Sequence, residues 1–509
     1  MHELIIIGAG STGAVIASRA SEDPSRTVLL LEAGPDYPDP ATTPFDLVNS
    51  HNNSYTAHDW GFQYEPTRQR QVPFPRGRVV GGSSSVNTTI ALRGLPEDYD
   101  EWATLGCPQW NWNQVLPAFN RLERDLDFPD ASYHGDAGPI SIRRYPRDEL
   151  EPQQGAFLDT AERLGYPACE DANAPTSYGA GPHPMNKLGR LRISCAIGYL
   201  ASARYRPNLT IRANTRVLRI LFKGKRATGV EVMTADGTTE VLQGRTVVLS
   251  AGAIMSPHIL MHSGIGPRAQ LQHFGIDCLG DEPGVGQNLS DHPALSVVCE
   301  VKDASLIDHD RPIIQTILRY TAPGSDKRND LQIEQISFAG RRDGPPLFSI
   351  AAVLEYQYGR GELRLQSGNP LEAPLIDNRF CEDERDTSRL VACMKDTLAF
   401  AGTGELGDMV SRVTFPDPAR GHDDESLANL CRKFAASGYH PCGTVKMGDP
   451  KDPMSVVDPL GRAHRFDGLV VADASIMPFV PRANTNLTCI MIGEMIGEWL
   501  RTQSTHYDL

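Results

Sequence analysis

A chain of 509 residues exceeds what one ordinary core holds, so two domains or one large elaborated domain are expected. Hydrophobic residues at 40% and charged residues at 22%, with 46 Gly and 38 Pro, describe a loop-rich globular protein and not a disordered or fibrous one. A formal charge of -14 argues against a nucleic-acid surface, which needs clustered Lys and Arg, and ten scattered cysteines without a Cys-x-x-Cys pair suit reduced thiols in a cytoplasmic setting.

The first element is Leu4-Ile5-Ile6-Ile7, a continuously apolar run expected of a strand buried on both faces of a parallel sheet. It begins so near the start that no room for a secretion leader is expected. The glycine loop that follows opens a dinucleotide site. Gly8 permits a tight turn, Gly10 lets a pyrophosphate approach the backbone beside Ser11 and Thr12, and Gly13 lets the helix from Ala14 to Ala20 pack on the strand. The next apolar run, Thr27 to Leu31, ends in Glu32, placed to accept ribose hydroxyls and to disfavour a 2'-phosphate. This unit selects NAD or FAD without separating them.

Further along, Arg76 to Asn87 carries Gly81-Gly82, where side chains are absent beside a flat ring or diphosphate, and Ser83 and Asn87, which supply neutral hydrogen bonds. Asn208-Ile211 and Thr215-Leu218 read as short strands, and Val247 to Pro257 as strand, turn and helix. His258 and His262, four apart on that helix, have a metal-ligand spacing, yet no carboxylate or cysteine nearby in sequence completes a site, so no metal is expected. Phe348-Leu354 and Glu362-Leu365 read as strands of one sheet, and Pro323-Asp330 and Gly340-Pro346 as polar turns. No stretch reaches the roughly 18 uncharged apolar residues of a membrane helix. Towards the end, Tyr439 to Gly448 surrounds His440, Val470 to Pro478 passes from strand to loop, and Phe479 to Thr488 opens a final helix running from about Leu487 to Arg501.

Taken in order, Gly8 to Gly34, Arg76 to Trp102, Val247 to Pro267, Gly284 to His292, and the two C-terminal segments resemble the glucose-methanol-choline (GMC) oxidoreductases over nearly the whole chain. The resemblance implies an α/β fold: a Rossmann-like FAD-binding domain from residues 1–140, 206–294 and 431–509, with a discontinuous α+β substrate-binding cap on an antiparallel sheet from 141–205 and 295–430. It implies FAD contacts at Gly8, Gly10, Ser11, Thr12, Gly13, Glu32, Ala33, Arg78, Val80, Gly82, Ser83, Asn87, Val217, Ala251, Gly252, Asp473, Ala474, Asn486 and Leu487. Val86 stands where relatives with covalently attached flavin have histidine, which implies noncovalent FAD.

The same resemblance makes His440 the base that takes the hydroxyl proton and pairs it with Asn484, whose neutral amide holds the substrate oxygen. His292 is expected to be structural, and Asn484 also suits a helix cap. The implied reaction oxidises an alcohol to the carbonyl by hydride transfer to flavin N5, with oxygen as acceptor. Pro481 to Thr488 resembles oxidases of hydroxymethyl groups on aromatic rings, favouring a primary alcohol. Gly438, two residues before His440, offers no side chain to shape an oxygen pocket, which keeps a dehydrogenase using a quinone or other carrier as the alternative. A nonredox lyase or photodecarboxylase is the second alternative. Partners are then a small-molecule alcohol and an electron acceptor, with no nucleic acid, and the sequence leaves the oligomeric state open.

Overall fold

The computed structural model describes residues 2–68 and 70–509. The chain opens with β1 (His2–Ile7), α1 (Gly13–Ala20) and β2 (Val28–Leu31), a βαβ unit whose strand residues Leu4, Ile5 and Ile6 are wholly buried. Strand β3 (Gly179–Pro182) belongs to a second sheet, after which β4 (Leu209–Arg212), β5 (Arg216–Lys223), β6 (Arg226–Met233) and β7 (Thr239–Leu249) return to the first and lead into α2 (Gly252–His262). Next come β8 (Pro293–Val301), β9 (Ile314–Tyr320), β10 (Leu331–Ala339), β11 (Leu347–Leu354), α3 (Glu384–Gly402), β12 (Val410–Phe415) and β13 (Ala436–Ser437). The chain closes through β14 (Leu469–Val471) and α4 (Thr485–Thr502).

The first sheet has the order β4-β2-β1-β7-β6-β5, with β14 also paired to β7. Its parallel strands end in register: Arg212 lies beside Leu31, Leu31 beside Ile7, Ile7 beside Leu249, and Leu249 beside Val471. Glu32, Gly8, Ser250 and Ala472 therefore emerge side by side at one edge, where a ligand of an open parallel sheet binds. The approach of chains there is close enough to require glycine. A Cβ at Gly13 would lie 2.0 Å from the carbonyl oxygen of Gly8, and one at Gly82 would lie 2.6 Å from Cα of Gly10.

The second sheet is antiparallel, in the order β12-β8-β11-β10-β9-β3, with β13 paired to β8. Its faces alternate, as a period of two requires. The expected strand near Glu362–Leu365 is real but lies elsewhere: residues Glu362–Arg364 pair with Leu375–Asp377 in a separate ribbon. The segment is not part of the large sheet, whose edge strands are β12 and β3.

Between the short strand Glu123–Asp125 and the loop at Asp171 lies a buried ion cluster. Arg93 pairs with Glu123, Arg144 with Asp125 and Asp171, and the His134 ring with Glu123 and Asp171. Burial alone would depress His134, but hydrogen bonds to Asp171 and Glu123 outweigh it and raise its pKa. With His134 protonated, three cations face three carboxylates. The trio Glu123, Asp125 and His134 has ligand-like spacing, yet guanidinium groups already pair with both of its carboxylates. All ten cysteines are free thiols, and among the described residues no helix is long and apolar enough to cross a membrane.

Candidate active site

A cavity of about 520 Å³ runs from the edge of the parallel sheet to the inner face of the antiparallel one. At its first end Glu32, almost wholly buried, accepts the backbone N–H of Ala9 at 3.0 Å through Oε2 and that of Gly34 at 2.9 Å through Oε1. Burial pushes its carboxyl up to about 7, although these N–H groups pull the other way. Each oxygen keeps a lone pair for a further donor. The Ser11 hydroxyl donates to Asn486 Oδ1 at 2.8 Å and that of Thr12 to the Cys489 carbonyl at 2.9 Å, so α4 is stitched to the glycine loop.

Asp473, after β14, accepts the N–H of Gly252 at 2.8 Å, the hydroxyl of Ser256 at 2.6 Å and the N–H of Ser475 at 2.7 Å. It holds the start of α2 against the sheet edge. The Asn87 side-chain oxygen accepts from Thr89 N–H at 2.9 Å and from Arg192.

At the other end stand His440 and Asn484. The loop before His440 is fixed by Asp291, whose Oδ1 accepts the N–H of His440 at 2.9 Å and of His292 at 2.8 Å, while Oδ2 accepts the Ser437 hydroxyl at 2.5 Å. Burial raises the Asp291 carboxyl to about 6. Asn484 Nδ2 lies 3.0 Å from His440 Nε2, and His440 Nδ1 lies 2.9 Å from His292 Nδ1. An amide N–H can only donate, so Nε2 is the unprotonated nitrogen and Nδ1 carries the hydrogen towards His292. Burial first, then the neighbouring charges of His292 and Arg76, hold His440 well below the usual histidine range. It is a neutral base aimed into the cavity.

Asn484 occupies the N-cap position of α4 but makes no capping hydrogen bond; its side chain is turned to His440 instead. Its Oδ1, like Asn486 Nδ2, is a buried polar atom without a hydrogen-bond partner among the described residues. A Cβ at Gly438 would lie 3.2 Å from His440 Nδ1 and 3.3 Å from His292 Cβ, so a side chain there would press on both histidines.

Of the residues marked in the sequence, Gly8, Gly10, Ser11, Thr12, Glu32, Ala33, Gly82, Ser83, Asn87, Val217, Ala251, Gly252, Asp473, Ala474 and Asn486 line this cavity with His440 and Asn484. Gly13, Arg78, Val80 and Leu487 are outside its lining. Gly13 serves helix packing, the Arg78 guanidinium lies 5.3 Å over the Trp60 ring, and Val80 and Leu487 are core residues. His258 and His262 sit with their Nε2 atoms 3.2 Å apart, both depressed by burial and by Arg216, to about 3 and about 4. The contact of His292 with His440 was not legible, since the two are 148 positions apart in the chain. Nor was the wall of Gln332 and Glu334, whose strand carries no motif.

The donor set fits a flavin dinucleotide. A glycine cradle and the amide nitrogen of Asn486, which has no partner among the described residues, line the cavity between the Glu32 acceptors and an imidazole-amide pair.

Comparison with known proteins agrees. GMC oxidoreductase family models match residues 2–294 and 357–493. The chain is 35% identical to a 5-(hydroxymethyl)furfural oxidase from Methylovorus sp., over 99% of both chains. It is also 35% identical to oxygen-dependent choline dehydrogenase 1 of Chromohalobacter salexigens, over 98% of this chain and 95% of that one. The crystal structure of pyridoxine 4-oxidase from Mesorbium loti superimposes with a TM-score of 0.91 at 27% identity, over 99% of both chains. With two family models covering most of its length and full-length relatives above 30% identity, the chain belongs to the GMC oxidoreductase family, as a FAD-dependent enzyme acting on alcohols.

Proposed function

We propose that this protein oxidises a primary hydroxymethyl group to the aldehyde with noncovalently held FAD, passing the electrons to oxygen. The observation that carries the chemistry is the contact of His440 Nε2 with the Asn484 amide, 3.0 Å apart at the end of the cavity. His440 Nε2 takes the hydroxyl proton, and the Asn484 N–H, released from that nitrogen, donates to the developing alkoxide oxygen. Asp291 fixes the backbone of His440, and His292 holds Nδ1, so the base cannot rotate away. Bound FAD supplies the hydride acceptor. Glu32 would hold its ribose end, and Gly10, Gly82 and Asn486 its diphosphate and ring neighbourhood.

Two relatives support a hydroxymethyl substrate, one named for oxidising 5-(hydroxymethyl)furfural and the other for oxidising pyridoxine at its 4-position. Their names, and that of the oxygen-dependent choline dehydrogenase, support oxygen as acceptor. The bare Gly438 beside His440 favours the second reading, a dehydrogenase with another carrier. The test is anaerobic mixing with benzyl alcohol, 5-(hydroxymethyl)furfural and pyridoxine, followed by exposure of the reduced enzyme to oxygen or a quinone. Flavin bleaching by at least one of them and rapid return of colour with oxygen are expected. No bleaching would overturn alcohol oxidation, and return of colour with quinone alone would select the dehydrogenase. Val86 cannot bond a flavin covalently, so acid precipitation should leave the yellow colour in solution; colour on the pellet would refute noncovalent binding.

A further inference from the structure

The inner face of the antiparallel sheet, opposite the dinucleotide loop, is built mainly of small and apolar side chains: Ala294 and Ser296 on β8, Ala351 and Val353 on β11, Ile336 on β10. One acidic side chain interrupts it. Glu334 on β10 lines the cavity with its side chain 13% exposed. Its Oε1 is held from behind, accepting the Gln332 amide at 2.7 Å and lying 3.2 Å from Nε2 of the buried His183. No cationic Lys or Arg pairs with it, and among the described residues Oε2 has no hydrogen-bond partner. Gln332, itself 2% exposed, turns its N–H towards Glu334 and leaves its Oε1 without a partner. Glu334 Oε2 and the buried Gln332 Oε1 thus border one patch of the cavity, two acceptors free to meet a donor cation.

The register places this patch relative to the chemistry. His292 precedes β8 and its ring lies 3.6 Å from Glu355, which follows β11, so that pair marks the catalytic end of the sheet. One rung on are Ala294, Val353 and Gln332, and the next holds Ser296, Ala351 and Glu334. Four residues at about 3.3 Å each separate the backbone rows of His292 and Glu334 by roughly 13 Å. Inward-reaching side chains shorten the span to that of a small substituted ring.

Building on the alcohol oxidation above, we propose that Glu334 and Gln332 form a cation subsite that selects alcohols carrying a protonated nitrogen at the far end of a ring-sized spacer from the reacting hydroxymethyl group. A carboxylate at that end is repelled, and a neutral group gains nothing from Glu334. The N–H of an ammonium or protonated ring nitrogen donates to Glu334 Oε2 and to Gln332 Oε1. A quaternary ammonium has no N–H to donate to either oxygen.

Binding is tested apart from turnover by titrating the holoenzyme with 4-methylbenzylamine and with 4-methylbenzoate, followed by flavin absorbance and calorimetry. The amine should bind at least about 10-fold tighter than the acid, and Glu334→Gln, which keeps shape and removes charge, should weaken the amine about 10- to 100-fold and not the acid. In turnover, E334Q should raise KM for 4-(aminomethyl)benzyl alcohol and leave kcat/KM for benzyl alcohol within about threefold. Equal binding of amine and acid by the unaltered protein, or an amine affinity indifferent to E334Q, would overturn the subsite while leaving alcohol oxidation standing. Amine binding that depends on Glu334, without any alcohol bleaching the flavin, would uphold the subsite and overturn the oxidation.

Discussion

His440 is depressed below the ordinary histidine range by burial and by the charges of His292 and Arg76, and this fixes the direction of its pH dependence. A lowered pKa keeps the base form down to pH values well under 6.5, so anaerobic flavin reduction should be flat from pH 8 to about 6 and fall only in more acidic buffer. A half-loss centred at pH 6.5 would refute it. His440→Ala should slow that reduction by about 100- to 10,000-fold, the usual weight of a general base. Asn484→Ala separates catalysis from capping. Because the side chain makes no cap hydrogen bond, the variant should lose about 100-fold or more in reduction rate with a melting temperature nearly unchanged. A drop in stability of about 1 kcal/mol with normal reduction would instead mark it as a cap.

At the scale of elements, the dinucleotide loop and the segment around Gly82 meet backbone to backbone. A methyl group at Gly82 would lie 2.6 Å from Gly10 Cα, a contact with no flexible side chain to give way, and Gly82 has φ of 53°. Gly82→Ala should therefore separate the two loops and lower the flavin-to-protein ratio on purification, with a loss of about 1–3 kcal/mol in stability. Full flavin content would show that the loops tolerate the shift. The elements on this side were legible because strand, glycine turn and helix are local patterns: β1, α1 and β2 fall within two residues of the apolar runs that announce them. The antiparallel sheet was less so. Its strands pair across distant sequence, and the segment Glu362–Arg364, strand-like by composition, found its partner nearby in Leu375–Asp377 and not in the large sheet, a choice that composition does not encode.

For the molecule as a whole, the buried cluster of Arg93, Glu123, Asp125, His134, Arg144 and Asp171 ties segments far apart in the chain. Glu123→Gln leaves Arg93 and His134 short of a counter-charge, and should cost about 3–5 kcal/mol in urea unfolding. The Asp171 carboxyl is lowered to about 2 by hydrogen bonding to His134 and by Arg144, against burial, so its contribution is present above 3.8 and lost as pH falls towards 2. The raised His134 contributes fully below 6.5 and loses its part as pH rises through its higher folded value. The difference between Glu123→Gln and the parent should peak between about pH 4 and 6.5; a pH-independent difference would show that packing, not charge, accounts for it.

By itself the sequence determined the dinucleotide unit, the candidate base and amide, and the family, because each rests on residues adjacent in the chain whose turns and helix starts are set by local backbone chemistry. Tertiary structure decided what meets what across long sequence separations. It turned Asn484 from the cap of α4 to the ring of His440, brought His292 behind that ring, and set Glu334 on a mainly small and apolar wall. Those relations depend on strand register and on which faces two sheets present to one cavity, quantities fixed by long-range pairing and not by any local pattern.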